Sequence, residues 1–138
     1  MSKKDGFFRI MPARIKIITV FYFIILVGVV VLADNKGTAH LLRFSGGIPY
    51  FDKISHFLLM GGLSFLVNAA LKAREVSLSK LRYLLGTLLV LLIVSLEEFS
   101  QLFVSGRAFD IGDLVADYLG IFIFGEIARR IVLKYQVE

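Results

Sequence analysis

The sequence contains no cysteine among its 138 residues. That absence excludes disulfide bonds, zinc–thiolate centres and a thiol nucleophile, and it leaves the redox compartment unread. Proline occurs only twice, and no internal repeat or low-complexity tract interrupts the chain. Hydrophobic residues, by contrast, make up 57% of the chain, and the mean hydropathy is +0.79. A soluble domain of this size cannot bury so much apolar surface, so the composition predicts a membrane protein.

Four apolar runs divide the chain, and the connections between them are too short to hold a soluble domain. With its flanks, each run approaches the roughly 20 residues that cross a hydrocarbon core of about 30 Å as a helix. The predicted fold is therefore all-α: a polytopic membrane protein with four transmembrane helices in one bundle, forming a single domain over residues 1–138. The predicted helices span about residues 15–33, 53–72, 81–102 and 110–133.

The net charge of +5 comes from basic residues that flank the apolar runs, and no soluble basic surface collects them. They precede the first helix, fill the second connection and follow the fourth helix: Lys3, Lys4, Arg9, Arg14, Lys16, Lys72, Arg74, Lys80, Arg82, Arg129, Arg130 and Lys134. By the positive-inside rule, this alternation predicts both termini in the cytoplasm and loops 34–52 and 102–110 outside. The expected location is the cytoplasmic membrane and the expected partner is the lipid bilayer, including anionic lipids, with no role for nucleic acid.

A cleaved signal peptide is the alternative interpretation of the first apolar run. The uncharged run from Ile17 to Ala33 has 17 residues, longer than the roughly 7–15 residues of a signal-peptide core. This length favours a first helix that is retained in the membrane.

Ionisable residues concentrate where three predicted helices meet the outer face. The second helix opens with Asp52, Lys53 and His56, the third ends with Glu97, Glu98 and Gln101, the fourth opens with Asp110, Asp113 and Asp117, and Arg107 lies between the last two helices. Ionisable side chains in membrane-spanning segments are costly, so they indicate a functional site by default. The second and fourth helices run inward and the third runs outward, which places all of these residues at one level. From the helical rise, Asp117 lies about 10 Å below Asp110, and His56 about 6 Å below Asp52.

Structural explanations compete with functional ones at these positions. Asp52 and Asp110 are each placed to cap a helix, and a lone histidine on an apolar face, such as His56, is usually a satisfied core residue. Gln101 follows Glu97 by four residues and Glu98 by three, so both acids can neighbour its amide. Deeper in the bundle, the small residues Gly61, Gly62 and Ser64 permit close helix packing, Asn68 is expected to make an interhelical hydrogen bond, and Glu126 is expected to pair with Arg129 or Arg130.

The predicted site is strongly acidic. Six carboxylates stand against two cations, Lys53 and Arg107. Protonation of some carboxylates, protonation of the histidine or binding of a cation would relieve this surplus. The candidate ligands for a divalent metal are His56, Glu98, Asp113 and Asp117, although their spacing matches no established metal motif. The helix N-termini, together with the two cations, would also favour a phosphate group.

These residues carry a resemblance to the VanZ-like family of membrane proteins. The matching positions are Asp52 and Lys53 with His56 and Phe57, then Glu98 and Gln101, then Gly106 and Arg107, and finally Asp113 and Gly120, within residues of about 20 to 125. The family's usual asparagine four residues after the last aspartate is Asp117 here, which adds a negative charge. The resemblance implies a small multi-pass protein of the bacterial cytoplasmic membrane, in a family associated with reduced susceptibility to glycopeptide antibiotics such as teicoplanin.

The residues leave three functions open, and they leave open whether the protein is an enzyme. In the first, the protein binds or processes an anionic lipid or a lipid-linked cell-wall precursor in the outer leaflet. Glu98, His56 and Asp113 are then the candidate catalytic or metal-binding residues, and Arg107, Lys53, Gln101, Asp52 and Asp117 are the candidate substrate-binding residues. In the second, the polar cluster is a structural lock in a non-catalytic scaffold. In the third, the carboxylates serve an ion-coupled transporter, which needs a polar path inward that the sequence supplies only in scattered residues.

Overall fold

The structure, a computed structural model, describes residues 3–34, 50–103 and 109–136, and in the first helix it describes the side chains of residues 13–32 only. Four helices account for most of this part of the chain, as predicted. In chain order the elements are α1 (Lys3–Asp34), α2 (Phe51–Ala70), β1 (Glu75–Leu78), β2 (Leu81–Leu84), α3 (Leu85–Ser100) and α4 (Ile111–Gln136), with a 3-10 turn over Gln101–Phe103 extending α3.

The start of α1 and the end of α2 differ from their predictions for physical reasons. α1 begins at Lys3 and not near residue 15. Lysine, arginine and alanine favour helix, so the helix can extend beyond the start of the apolar run. α2 ends at Ala70 and not at residue 72. Lys72 and Ala73, which follow it, adopt left-handed backbone angles with φ of 54° and 52°. The helix therefore stops two residues early without a glycine to mark its end.

The second connection forms a small β-hairpin, which the all-α prediction does not include. Strands β1 and β2 pair antiparallel, with Glu75 opposite Leu84 and Leu78 opposite Leu81. Ser79 in the two-residue loop has φ of 59°, the left-handed conformation that tight hairpins use. Because residues 81–84 belong to the hairpin, α3 begins at Leu85 and not at residue 81. The all-α expectation is thus corrected to a helical protein with one small β-hairpin.

Three helices of the described residues are long and apolar enough to cross a membrane: Ala13–Leu32, Phe51–Ala70 and Leu85–Phe103. Their outward side chains are exposed, and within residues 13–32 Leu26 is the single buried residue. This pattern suits helices surrounded by lipid. The fourth helix is long enough to cross a membrane, but its acidic residues and a basic pair increase its number of charged residues. The fourth crossing therefore stays a prediction.

α2 lies at the centre of the bundle and packs most closely against α4. At the crossing, a Cβ added to Gly120 would lie 2.2 Å from the carbonyl oxygen of Phe57 and 3.2 Å from the backbone nitrogen of Gly61. Only residues without a side chain allow two backbones to approach this closely. The expected role of Gly61 in helix packing is confirmed. The buried apolar core around the crossing comprises Leu26, Leu63, Val90, Val94 and Ile121.

Buried hydrogen bonds tie the helices together below this crossing. The hydroxyl of Ser64 donates to the carbonyl of Ile121 at 2.8 Å. The amide of Asn68 donates to the hydroxyl of Thr87 at 3.0 Å, which confirms the interhelical bond expected of this asparagine. Tyr22 on α1 donates to the carbonyl of Leu59 at 3.0 Å. Because lipid cannot supply partners to polar groups, each of these bonds helps fix which helices are neighbours.

The predicted ion pair near the end of α4 is also present. Glu126 accepts hydrogen bonds from Arg129 at 2.7 Å and from Arg130 at 2.9 Å. Together with Glu75 and Arg82 of the hairpin, Glu126 and Arg129 border a cleft of about 350 Å³ at this end of the molecule.

Candidate functional site

The beginnings of α2 and α4 are built differently, although each was expected to be capped by an aspartate. Asp110 does cap α4, because its Oδ1 accepts a hydrogen bond of 2.7 Å from the backbone N–H of Gly112. Asp52 does not cap α2: the helix begins one residue earlier, the cap position is Tyr50 with φ of 62°, and no side chain bonds there. Asp52 instead lies in the first turn, where the helix dipole favours a carboxylate.

Lys53 connects the openings of α2 and α4. Its ammonium group contacts the carboxylates of Asp110 and Asp113 on α4 and lies 3.7 Å from Asp52 on its own helix. The hydrogen bond from Lys53, with that from the Gly112 backbone, holds the pKa of the Asp110 carboxyl below its ordinary value. Three of the predicted carboxylates therefore share one cation.

His56 lies one turn deeper on α2 and faces α4. Its Nδ1 lies 3.1 Å from Oδ1 of Asp117, and its Nε2 lies 3.9 Å from Oδ2 of Asp113. The contact with Asp117 is within hydrogen-bonding distance, and the contact with Asp113 is too long for a hydrogen bond. Asp113 and Asp117 thus do share a face of α4, as their spacing predicts, and both contact the same imidazole.

Glu98 brings the third helix to the site. It is 1% exposed, and one of its carboxylate oxygens lies within 4.8 Å of ligand atoms of His56 and Asp117. Neither Glu98 oxygen has a hydrogen-bond partner among the described residues, and the same holds for Oδ2 of Asp117. Buried polar atoms without partners are rare in proteins, so these three oxygens require an explanation.

Exposure falls steadily through the site. The side chain of Asp52 is 69% exposed, that of Lys53 31%, that of His56 20% and that of Asp117 1%. The arrangement consists of two overlapping groups that share His56. The outer group adds Asp52 and Asp113, and the inner group adds Glu98 and Asp117. Each group could hold a metal ion by its residue types and spacing.

The meeting of three helix ends, predicted from depth alone, is confirmed for most of the predicted site residues. Gln101 is buried and donates to both oxygens of Glu97, at 3.1 and 3.2 Å, so it pairs with one of its two acidic neighbours. Arg107, with Gly106, lies outside the described residues, and its expected place beside the carboxylates stays a prediction.

Sequence reasoning missed two polar contacts below the site. Tyr118 and Ser95 share a hydrogen bond of 2.6 Å between α4 and α3, and Thr87 accepts from Asn68. Each is a hydroxyl within an apolar run, which was the available signal. No sequence feature indicates their partners, because helix rotation decides which hydroxyls face inward.

The pattern of the VanZ/LLP1 family matches residues 10–132. The chain belongs to this family. Its match covers all of the residues of the site described above, so the VanZ-like resemblance of the polar motifs is confirmed for the chain as a whole. No curated protein and no solved structure matches the chain. In this VanZ/LLP1 protein, the residue at the position where the resemblance implies an asparagine is Asp117, whose carboxylate bonds to His56.

Proposed function

We propose that this protein is an envelope protein of the bacterial cytoplasmic membrane that binds the phosphate-bearing headgroup of a lipid or lipid-linked cell-wall precursor. In this proposal it crosses the membrane four times with both termini inside, and the polar cluster lies at the outer leaflet. The observation that carries the proposal is the juxtaposition of the partly exposed Lys53 with apolar side chains at the same level of the bundle.

The surface around the cluster suits an amphiphilic ligand. Ile54 follows Lys53 in sequence and is 50% exposed, and Ile111 follows Asp110 and is 68% exposed. Phe103, at the end of the turn that extends α3, is 89% exposed. A lipid can therefore lay its hydrocarbon along these side chains while its headgroup reaches the polar residues, an arrangement in which apolar contact supplies affinity and polar contact supplies orientation.

The charges define how a phosphate is held. Lys53 is partly exposed at the mouth of the site, the outer end where Asp52 lies, and its partners are carboxylates. In the proposal, phosphate oxygens replace one of these carboxylates on the ammonium group, and Arg107 supplies a second, bidentate contact. The N-terminus of α4 adds the partial positive charge of its backbone N–H groups.

The second candidate is a scaffold whose charged cluster is a structural lock. The contacts of Lys53 favour it, because they join α2 to α4 through Asp110 and Asp113. The two candidates differ in what a neutral isostere does. A lock tolerates Glu98→Gln if the protein folds, whereas a site in which Glu98 is a catalytic or metal-binding residue does not.

The experiment compares wild-type protein with Glu98→Gln and Arg107→Ala, each expressed at the wild-type level in a glycopeptide-susceptible strain. The binding proposal predicts loss of any protection against teicoplanin in both variants, and weaker binding of a polyprenyl phosphate by purified Arg107→Ala in detergent. Glu126→Gln, at the other end of α4, is the matched control and is expected to behave as wild type. If both variants bind the polyprenyl phosphate as wild type does, the headgroup proposal fails and the scaffold is favoured.

The topology is tested separately. A fluorescent reporter fused after Glu138 is expected to fluoresce, and alkaline phosphatase fused there is expected to be inactive, because both outcomes require a cytoplasmic C-terminus. Active alkaline phosphatase at this position would place the C-terminus outside and remove the proposed orientation of the cluster.

A further inference from the structure

We infer that His56, Glu98 and Asp117 form a binding site for one divalent transition-metal ion. The three residues come from three different helices, and one ligand atom of each lies within 4.8 Å of the others. Ligands bound to one zinc ion at about 2.0–2.1 Å lie roughly 3–3.5 Å from each other. Shifts of about 1 Å in side-chain position would therefore bring the three atoms into coordination.

The unpartnered oxygens support this inference independently of the spacing. Glu98 reaches the group from α3 with both oxygens buried, and Asp117 reaches it from α4 with Oδ2 buried. None of the three atoms has a hydrogen-bond partner among the described residues. A buried carboxylate oxygen without a partner destabilises the folded state. A metal ion satisfies oxygens from both residues at once.

The charge of the inner group points to a divalent ion. When both are ionised, Glu98 and Asp117 carry two negative charges. Asp117 pairs with His56, and neither residue forms an ion pair with a lysine or arginine of the described residues. Lys53, at the openings of the same helices, is engaged with Asp52, Asp110 and Asp113. A doubly charged cation bound by neutral His56 and two carboxylates leaves the buried group with no net charge, which removes the cost of burying isolated carboxylates.

The ligand types select among divalent ions. One imidazole with two carboxylates suits zinc or manganese, whereas calcium and magnesium prefer sites built from oxygen alone. The outer group is a poorer candidate, because Asp52 is 69% exposed and Asp113 is already bound to Lys53. The inner group is the one that combines burial with unpartnered carboxylate oxygens.

The inference deepens the proposed function and in that respect rests on it, since a metal bound here adds the positive charge that a phosphate headgroup requires in an acidic site. Metal binding itself is measured with no lipid present. The full-length protein is purified in detergent with a tag that contains no histidine, stripped with a chelator, and dialysed against Zn²⁺ or Mn²⁺. Bound metal is counted by mass spectrometry, and the spectrum of a Co²⁺-loaded sample reports the coordinating atoms.

The expected result is one Zn²⁺ or Mn²⁺ per chain. Glu98→Gln, Asp117→Asn and His56→Ala are each expected to weaken binding at least about tenfold, whereas calcium and magnesium do not compete at equal concentration. The matched control is His40→Ala, which removes the other of the two histidines and is expected to bind as wild type. Helix content by circular dichroism and elution as a single species confirm that each variant folds.

Wild-type protein that binds less than about a tenth of an equivalent, or a Glu98→Gln and Asp117→Asn double variant that binds as wild type, would overturn the inference. The Co²⁺ spectrum of the wild-type protein is a test that does not depend on the folding of any variant. This spectrum must show coordination by nitrogen and oxygen. Arg107→Ala separates the two proposals. It is expected to lose the polyprenyl phosphate and keep the metal, so failure of metal binding and failure of headgroup binding are distinguishable.

Discussion

Replacement of Gly120 by alanine tests the close crossing of α2 and α4. The new Cβ would lie 2.2 Å from the carbonyl oxygen of Phe57, where a carbon and an oxygen ordinarily approach to about 3.3 Å. The obstructing atom belongs to the backbone, so no side-chain rotation relieves the clash. The two helices must separate locally by about 1 Å.

The expected cost combines two opposing terms. Overpacking a well-filled interface destabilises by about 1–3 kcal/mol, and a backbone obstacle belongs at the upper end. Alanine favours helix over glycine by about 1 kcal/mol, which offsets part of this. The net loss is about 2 kcal/mol, or a fall in Tm of roughly 7 °C for a chain of this size.

The same separation should weaken the site. His56 immediately precedes Phe57, and Asp117 lies one turn before Gly120, so both move with the crossing. A further 1 Å would lengthen their 3.1 Å contact beyond hydrogen-bonding distance. Gly120→Ala should therefore lower Tm and metal affinity together.

Thermal unfolding of the purified protein in detergent, followed by circular dichroism, measures this effect against two matched variants. Gly61→Ala should cost less, because its Cβ would meet Cδ2 of Phe124 at 2.8 Å and the ring can turn away. Gly28→Ala should cost nothing, since no atom lies within 4 Å of the added Cβ. A Gly120→Ala protein with the Tm of wild type would refute the close crossing described here.

Two further substitutions test other contacts of the bundle. Asn68→Ala removes the hydrogen bond to Thr87 and a second one to the carbonyl of Ser64 and should lower the free energy of unfolding by about 1–3 kcal/mol, because buried partners are left unpaired; an unchanged Tm would show that these bonds contribute nothing. Asp110→Asn keeps the helix cap and removes the charge that Lys53 binds. Because the pKa of Asp110 is lowered in the folded state, its carboxylate stabilises the fold above its ordinary pKa, and this contribution is lost as the pH falls through the lowered value. The Tm difference between wild type and Asp110→Asn should thus be constant well above the ordinary aspartate pKa of about 3.9 and shrink as the pH falls below it; a difference that does not change in this acid range would contradict the ion pair.

The sequence was sufficient to predict the meeting of α2, α3 and α4 because that prediction needed only helix direction and depth. Helical spacing placed Asp113 and Asp117 on one face, and charge placed Lys53 among carboxylates. The sequence does not indicate which of these carboxylates pair with Lys53. In the structure Lys53 pairs with Asp110 and Asp113, and Glu98 has no lysine or arginine partner among the described residues. Helix rotation and side-chain length determine this pairing.

The β-hairpin was missed for a local reason. Residues 75–84 alternate weakly in hydrophobicity, and the loop at Ser79 and Lys80 has no glycine or asparagine, the residues that usually mark a tight hairpin. The apolar run from Tyr83 continues from β2 into α3 without a charged residue, so the pattern of the sequence does not separate the strand from the helix. The cap of α2 was misassigned for a similar reason, since Tyr50 has no side-chain group suited to a cap.

The position of His56 between the two acidic groups ties their behaviour together. A neutral imidazole has one proton for two nitrogens, and here one nitrogen faces the interior at Asp117 while the other faces the mouth at Asp113. When the proton is on Nε2, facing Asp113, the lone pair of Nδ1 faces Asp117. When the proton is on Nδ1, the lone pair of Nε2 faces Asp113. What happens on one side of this ring therefore dictates the hydrogen-bonding role available on the other.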